Sequence, residues 1–427
     1  MSLPSPMPLP DLFRVRQRFQ GPELSDVEGE THRQLARLDL ARRIAPGQSV
    51  AITAGSRGIT SIDVILRAVV AHLRSLGAEP FIVPAMGSHG GGTAAGQTKM
   101  LAQLGITEAS CGCPIRASME TVIVSRAPEG FDVHFDRIAS EADHVLVVGR
   151  VKPHTRFTGA LESGLMKMML IGLGKHEGAK IYHRAIVDHS FDRIVRSVAR
   201  QVLERCRICA GLAIVENAYD RTALIEAIEP ERFETREPEL LDLARQWMAR
   251  LPFDRADVLI LDRIGKDVSG AGMDTNVVGR KASDHDPGEH EFPKIKRICL
   301  RGISAVSQGN ATGIGIAEFC LTRAIEQMDV RTTRINCLTG SHPTAAMLPL
   351  DYATDREMLE AAIPTLGLVE PDDTALLWVR DTLHLTELEC SRAYWDRCVG
   401  RDDLEILTDP RPFPLDAAGM LPDDHWS

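Results

Sequence analysis

The stretch SVAITAGSRGITSIDVILRAVVAHLRSLGAEPFIVPAMGSHGGG, Ser49–Gly92, sets the pattern that the rest of the chain repeats. A short β-rich run, SVAITAG, is followed by apolar residues at helical spacing in SIDVILRAVVAHLRSLG, which ends at a glycine. A second buried run, EPFIVPAMG, then leads into a glycine-rich loop. Strand, loop, helix and strand in this order are typical of a parallel α/β sheet.

The same alternation continues along the chain. TAAGQTKMLAQLG predicts a helix with Thr93 as its N-cap, and ADHVLVVGRVKPH and CAGLAIVEN predict buried strands. A break near residues 250–254 precedes ADVLILDRIG, a further buried strand that runs into a polar, glycine-rich loop. The pattern therefore predicts two α/β domains with mainly parallel sheets, residues 1–252 and 253–427. In such sheets, ligands bind beyond the carboxyl ends of the strands.

The bulk composition excludes several classes of protein. A length of 427 residues with 44% hydrophobic and 25% charged residues fits a globular protein of two domains. A formal charge of −10 argues against nucleic acid as the main partner. No uninterrupted apolar run of about 18 residues exists, so no membrane-spanning helix is expected. The proline-rich start lacks a basic-then-apolar signal, so we expect a cytoplasmic protein.

The cysteines indicate reduced thiols rather than a disulfide framework or a metal site. There are nine, an odd number, and they are scattered along the chain. Cys206 and Cys209 form a C-x-x-C pair, but no second pair matches it as a structural zinc site requires. Thiols buried in the core are the favoured interpretation.

The strand-end loops carry polar residues that suit an anionic ligand. Arg57 directly follows a predicted strand and would either clamp a phosphate or carboxylate or cap a neighbouring element. Glycines on both sides of Ser88 and His89 would let backbone N–H groups approach a phosphate, or would simply form a turn with a solvated histidine. His154 follows Lys152-Pro153, where the proline stiffens the approach to the histidine.

A lysine inside an apolar run is the least ordinary feature. Lys167 lies in LMKMML, where a charge is costly unless it has a partner or is neutralised. Such a lysine either becomes a nucleophile or covalent anchor, or buries its stem and keeps its ammonium in water. His183 follows in a helical pattern. The absence of an HExxH pattern removes support for an ordinary zinc hydrolase.

The combination of these segments resembles a known family. The run KPHTRFTG…ESGLMKMMLIGLGK…H, preceded by GSRG and GSHGG, resembles the lactate racemase family that uses a nickel-pincer nucleotide. The resemblance extends over essentially the whole chain and implies two α/β domains with the active site in the cleft between them. It is strongest to homologues that act on other 2-hydroxy acids. In that family a pyridinium-3,5-bisthiocarboxylic acid mononucleotide is joined to a lysine through a thioamide, and two sulfurs and a carbon of the cofactor hold nickel together with a histidine.

The resemblance implies a role for each candidate residue. By motif position, the covalent anchor is Lys167 and the nickel ligand is His183. The acid/base pair is His89 and His154, and the substrate-binding residues are Arg57 and Lys266. The further cofactor-binding residues are Ser88, Gly90 and Gly91. The anchor and the metal ligand are 16 positions apart, as in the family.

The implied reaction is inversion at C2 of a 2-hydroxy acid. The C2 hydrogen is barely acidic beside a carboxylate, so transfer as hydride is easier, with histidines moving the hydroxyl proton. Twelve residues separate His154 from Lys167, more than in the lactate enzymes, and the loop from Lys266 to Arg280 carries Asp274 and Asn276. These two features favour a sugar acid such as D-gluconate over lactate. A sugar-acid isomerase or dehydratase with a simple divalent metal, and a non-catalytic nucleotide-binding protein, remain as alternatives.

Overall fold

The computed structural model describes residues 7–56 and 58–426, and the chain forms two compact units. The first unit runs from Gln20 to Met248. The second unit combines the chain before Gln20 with the chain after Met248. Its first strand, β1 (Leu12–Gln17), therefore lies far in sequence from the strands with which it pairs.

The first unit is built on a mostly parallel sheet. Its strands are β2 (Ser49–Ala54), β3 (Glu79–Pro84), β4 (Thr121–Arg126), β5 (Asp132–Asp136), β6 (His144–Arg150), β7 (Ile208–Glu216) and β8 (Thr222–Ile228). Among the described residues the sheet order is β3-β2-β6-β7-β8, with only β8 antiparallel, and β4 and β5 form a separate hairpin. The strand order reverses between β2 and β6. This reversal creates a switch point, where open α/β sheets bind their ligands.

Helices cover both faces of this sheet. They are α1 (Val27–Ala36), α2 (Ile62–Ser75), α3 (Ala94–Gln103), α4 (Glu108–Cys111), α5 (Arg137–Glu141), α6 (Leu165–Lys167), α7 (Lys175–Asp188), α8 (Phe191–Arg205) and α9 (Phe233–Trp247). Alternate residues of β2 enter different cores: Val50 and Ile52 pack on the side of α2, and Ala51 packs on the side of α8. Burial on both faces explains why the strands are continuous apolar runs rather than alternating ones.

Local capping explains where α3 and α8 begin. Thr93 accepts a hydrogen bond from Gly96 N, which confirms the predicted N-cap of α3. Ser190 accepts from Arg193 N in the same way at the start of α8. Both caps fix helices that pack beside the loops at the carboxyl edge of the sheet.

The second unit has its own larger sheet. Its other strands are β9 (Arg255–Leu261), β10 (Lys294–Leu300), β11 (Phe319–Leu321), β12 (Leu350–Tyr352), β13 (Leu376–Val379), β14 (Glu387–Ser391) and β15 (Leu404–Ile406). Its helices are α10 (Thr275–Val278), α11 (Thr322–Glu326), α12 (Val330–Thr339), α13 (Asp355–Ala362) and α14 (Trp395–Cys398). Within the described chain the order is β12-β11-β10-β9-β13-β14-β1-β15, and the first five of these strands are parallel.

The predicted fold class is confirmed, while the predicted boundary differs in one respect. Both units are α/β with mainly parallel sheets, as expected. The division into 1–252 and 253–427 does not match at the N-terminus, because β1 pairs antiparallel with β14 and β15 in the second sheet. Pairing between opposite ends of a chain leaves no local sequence signal. No helix in the described part of the chain is long and apolar enough to cross a membrane.

Candidate functional site

The loops after β2 and β3 bring Ser56 and His89 into contact. Ser56 Oγ lies 2.5 Å from His89 Nδ1, and the histidine ring is exposed. The two strands are parallel neighbours, so their carboxyl ends lie side by side. Arg57, the predicted substrate ligand next to Ser56, lies outside the described residues.

The glycine-rich loop holds His89 in a conformation that side chains would disturb. At Gly87 (φ +57°) a Cβ would lie 3.0 Å from Ile171 Cγ2, and at Gly90 (φ +66°) a Cβ would lie 2.7 Å from Gln97 N. Buried Gln97 donates from Nε2 to the carbonyl oxygens of Gly87 and His89, at 3.0 and 3.3 Å. The backbone conformation of the loop therefore requires these glycines, independently of any ligand that the loop binds.

Gly91 and Ser88 complete this loop. Gly91 also has a left-handed conformation (φ +67°), and a Cβ there would meet nothing within 4 Å. Ser88 is half-buried beside the exposed His89. Open space at Gly91 leaves room for a ligand to approach the backbone.

His154 lies beyond the carboxyl end of β6, on the other side of the switch point. Its backbone N–H donates to Glu162 Oε2 at 2.6 Å. Its ring Nδ1 accepts two backbone hydrogen bonds, from Arg156 N and Phe157 N, each 3.0 Å long. Glu162 is only 2% exposed and pairs with Arg245 at 2.7 Å. The histidine is thus fixed at both its backbone and its ring.

The ring of Phe157 gathers three of the predicted site residues. It stacks on His154 with centroids 4.1 Å apart and an interplanar angle of 9°. His183 lies 6.1 Å away between centroids, and Lys167 Nζ lies 5.4 Å above the Phe157 ring. Phe191 stacks on the same ring at 4.0 Å. Phe157 was missed by the sequence reasoning, because a single phenylalanine in a loop carries no periodic signal.

Lys167 and His183 lie on one irregular helical segment. α6 leads through a π-helical turn, Met168–Gly172, into α7, which carries His183. Such π-helical turns are frequent at functional sites. Lys167 is half-buried, with its ammonium within cation–π range of Phe157. The structure thus places both residues beside one aromatic ring.

A buried carboxylate caps the start of this segment. Glu237 of α9 accepts from Met166 N at 3.0 Å and is 1% exposed. A Cβ at Gly164 would lie 2.4 Å from Glu237 Cδ, so the approach requires glycine. Burial raises the pKa of Glu237 to about 7. The cap replaces the side-chain N-cap that α6 does not have.

The surroundings of His183 favour its neutral form. Burial, and then the nearby ammonium of Lys167, lower its pKa from the ordinary value. A low pKa keeps the imidazole neutral, which is the form that binds metals. Among the described residues, no group of three or more His, Cys, Asp or Glu side chains converges as a metal site.

A buried ion pair anchors the segment between Lys167 and His183. Lys175 and Asp136 are both 0% exposed, and Lys175 Nζ lies 2.6 Å from Asp136 Oδ2. The ammonium also donates to Pro84 O at 2.5 Å, at the end of β3. Lys175 therefore ties α7 to the strand that precedes the His89 loop. Nothing in the sequence marks Lys175 as buried, because a lysine flanked by Gly174 and His176 is typical of an exposed position.

In the second unit, Lys266 lies in the loop after β9. Its Nζ donates to Gly270 O at 2.6 Å, and its backbone N donates to Ser307 Oγ at 2.7 Å. Asp274 caps α10 by accepting from Asn276 N and from Asn276 Nδ2, both at 2.9 Å. Arg280, at the end of this loop, is fully buried and pairs with Glu318. The loop is ordered largely by its own hydrogen bonds.

The predicted core thiols are confirmed. All nine cysteines are free and buried. Burial raises the pKa of Cys206 and of Cys209 to about 12, so neither is a thiolate at neutral pH. The pair has the character of core residues rather than of a metal site.

Comparisons with known proteins concern the family and the fold. Residues 33–194 match the family model described as the lactate racemase N-terminal domain. The fold is similar to the lactate racemase apoprotein from Thermoanaerobacterium thermosaccharolyticum, with a TM-score of 0.56 and 13% identity over 87% of this chain and 98% of that chain. A Thermotoga maritima protein matches with a TM-score of 0.49 and 13% identity, covering 77% of this chain and 83% of that one. No curated protein matches the sequence.

Proposed function

We propose that the chain is a racemase or epimerase that inverts C2 of a 2-hydroxy acid. The premise is that it belongs to the lactate racemase family, whose N-terminal domain model matches residues 33–194. The observation that carries the proposal is the convergence of His154, Lys167 and His183 on the ring of Phe157. His89 lies at the same carboxyl edge of the sheet. A half-buried lysine and two histidines around one ring are more than the packing of these loops requires.

The cofactor that we propose is a nickel-pincer nucleotide. Lys167 would hold it through a thioamide, which removes the lysine charge and makes its apolar setting inexpensive. His183 would bind nickel, and the backbone around Ser88, Gly90 and Gly91 would approach the nucleotide phosphate. When bound, this group would accept the C2 hydrogen as hydride. The neutral imidazole of His183 and the open space at Gly91 fit these roles.

We assign the substrate contacts to four residues. Arg57 and Lys266 would bind the carboxylate, since both are cations in loops that follow strands. His89 and His154 would contact the hydroxyl oxygen at C2. Ser56 would orient the His89 ring through its 2.5 Å contact with Nδ1.

A sugar acid such as D-gluconate is our proposed substrate in preference to lactate. The support is the run of twelve residues between His154 and Lys167, which reshapes the wall beside the anchor. Asp274 and Asn276 give less support than the sequence suggested, because they bond to each other at the start of α10. The preference therefore rests on the spacing.

The test is C2 inversion over a panel of 2-hydroxy acids, using protein produced together with the cofactor-synthesis enzymes. We expect added mass on Lys167, bound nickel and inversion of a sugar acid, all lost in Lys167→Ala. Lys180→Ala is the matched control, because Lys180 is an exposed residue of α7 that pairs with Glu177 on the same helix. Activity with Mn²⁺ or Mg²⁺ alone, unchanged in Lys167→Ala, would instead indicate a simple metal-dependent isomerase or dehydratase. Nucleotide binding without turnover would indicate a binding protein.

A further inference from the structure

A cavity at the carboxyl edge of the second sheet gathers arginines from neighbouring strands. Its volume is about 390 Å³, and the described residues that line it all belong to the second unit. Four parallel strands each contribute one arginine just beyond their carboxyl ends: Arg263 after β9, Arg301 after β10, Arg323 after β11 and Arg380 after β13. None of the described lining residues has a role in the proposed racemase site. Open α/β sheets bind their ligands at this edge.

The cavity is more basic than the chain as a whole. Its described lining carries the four arginines and three aspartates, in a protein whose formal charge is −10. Two of these aspartates, Asp423 and Asp424, come from the C-terminal segment that follows the last strand. From the sheet edge itself, the cavity receives the four cations and one carboxylate, Asp262. Guanidinium groups gathered in a concave site favour an anionic ligand.

Arg301 is committed to the structure of the cavity wall. It is 1% exposed, and it donates to Asp355 at 2.8 Å and to Asp262 at 2.6 Å. Asp262 also accepts from the indole N–H groups of Trp378 and Trp426, at 2.8 and 2.5 Å. This network fixes Arg301, so the other three arginines are the ones that a ligand can engage.

The carboxylate of Asp423 already shows how the cavity binds an anion. Arg323 donates from Nη1 to Asp423 Oδ2 at 2.9 Å and from Nη2 to Oδ1 at 2.8 Å. Two parallel bonds of this kind are the usual way in which arginine recognises a carboxylate. They lower the pKa of Asp423, which keeps it ionised. The Asp423 side chain is 69% exposed, and an ion pair so open to water contributes little to stability, so an external carboxylate can take its place.

The arginines on the other side of the cavity are used little by the protein. Arg380 is half-buried, and no carboxylate of the described chain lies within ion-pair distance of it. Arg263 binds Asp381 through Nε at 2.9 Å. In the order β11-β10-β9-β13, Arg323 and Arg380 follow the two outer strands, whose backbones are roughly 14 Å apart at about 4.8 Å per strand. This spacing suits a ligand with an anionic group at each end.

We propose that this cavity binds a small anion with two or more carboxylate groups, and that the ligand displaces the side chain of Asp423. One carboxylate of the ligand would replace Asp423 on Arg323, and another would be bound by Arg380 and Arg263. The proposal is independent of the proposed racemase activity, because it concerns residues of the second unit alone. It can therefore be tested by binding, without turnover.

The test is isothermal titration calorimetry of the full-length, cofactor-free protein with citrate as the probe. We expect saturable binding that weakens as the salt concentration rises, because salt screens contacts between guanidinium and carboxylate groups. Gluconate, which has one carboxylate, and inorganic phosphate should bind at least about tenfold more weakly, since each leaves charged hydrogen bonds unmade. An affinity for either probe equal to that for citrate would contradict a ligand with two carboxylates.

Arg380→Gln tests the cation that has no carboxylate partner. It should weaken citrate binding by about tenfold or more, while the urea midpoint stays at the wild-type value because no ion pair is lost. Arg334→Gln is the matched control, because Arg334 is an exposed arginine of α12 outside the cavity. Unchanged citrate affinity in Arg380→Gln would overturn the proposal.

Asp423→Asn tests the displacement. An amide competes poorly for Arg323, so this variant should bind citrate about two- to fivefold more tightly than the wild type. Wild-type affinity in Asp423→Asn would show that the ligand does not displace Asp423. Absence of citrate binding in both proteins would show that the arginines only hold the C-terminal segment, and the proposal would be wrong.

Discussion

Replacing Lys175 with methionine should destabilise the first unit by about 3–5 kcal/mol, the usual cost of removing one partner from a buried ion pair. Methionine keeps the aliphatic stem but leaves Asp136 as a buried charge, since both side chains are 0% exposed. It also leaves Pro84 O without the ammonium that it accepts from at 2.5 Å. The upper half of the range is therefore the better expectation.

A double variant separates charge from packing. Asp136 Oδ1 caps α5 by accepting from Ala139 N at 3.0 Å, and asparagine can keep this bond. Asp136→Asn alone leaves the buried Lys175 ammonium without its carboxylate partner, so it should also lower the free energy of unfolding by about 3–5 kcal/mol. In Lys175→Met/Asp136→Asn no charge is left, so the double variant should be more stable than either single variant.

The assay is urea unfolding, with hydrogen exchange of peptides from α7 and β3 to locate the change in the first unit. Lys180→Met is the control, because its exposed pair with Glu177 should contribute only about 0–1 kcal/mol. Unfolding of Lys175→Met at the wild-type urea concentration would show that the ion pair does not stabilise this unit. Single costs that simply add in the double variant would show that the two charges are uncoupled.

Two further predictions concern titratable groups in the core. Because burial raises the pKa of Glu237 to about 7 from 4.5, the folded state prefers the protonated acid, and stability is lost as pH rises between these values. Glu237→Gln, which can still accept from Met166 N, should therefore gain up to about 3 kcal/mol over wild type at pH 8, at 1.36 kcal/mol per pKa unit, and much less at pH 4.5. Urea midpoints at the two pH values measure this, and an equal difference at both would contradict the assignment. The nine buried thiols should react slowly with a thiol reagent in the native protein and completely after unfolding; rapid titration of any of them would show an accessible site.

Much of the fold could be predicted because its signals are local. The buried run and helical spacing in Ser49–Gly92 correspond to β2, α2 and β3, and Thr93 caps α3 as expected. Pairing between distant segments is different. β1 contains Leu12, Phe13 and Val15 as buried residues, but nothing in LFRVRQ indicates that its partners lie near the other end of the chain.

The candidate site was predictable to the level of residue types and their order along the chain. His154, Lys167 and His183 lie close together in space, but no pattern in the sequence indicates that Phe157 lies between them. Their assigned roles stay predictions. Two backbone N–H groups hold the ring of His154, and backbone direction in a loop cannot be inferred from composition.

The two interpretations of Lys167, a buried stem with a hydrated ammonium and a covalent anchor, are compatible with the same surroundings. Before any modification, its ammonium lies 5.4 Å above the Phe157 ring, where the negative face of the ring stabilises a cation that is only half in water. After thioamide formation the charge would be gone, and the apolar flanks Met166 and Met168 would pack a neutral group without penalty. The same pocket thus accepts the lysine in both states. Removing the ring, as in Phe157→Leu, should destabilise the charged form more than the attached one, because only the charged form uses the ring electrostatically.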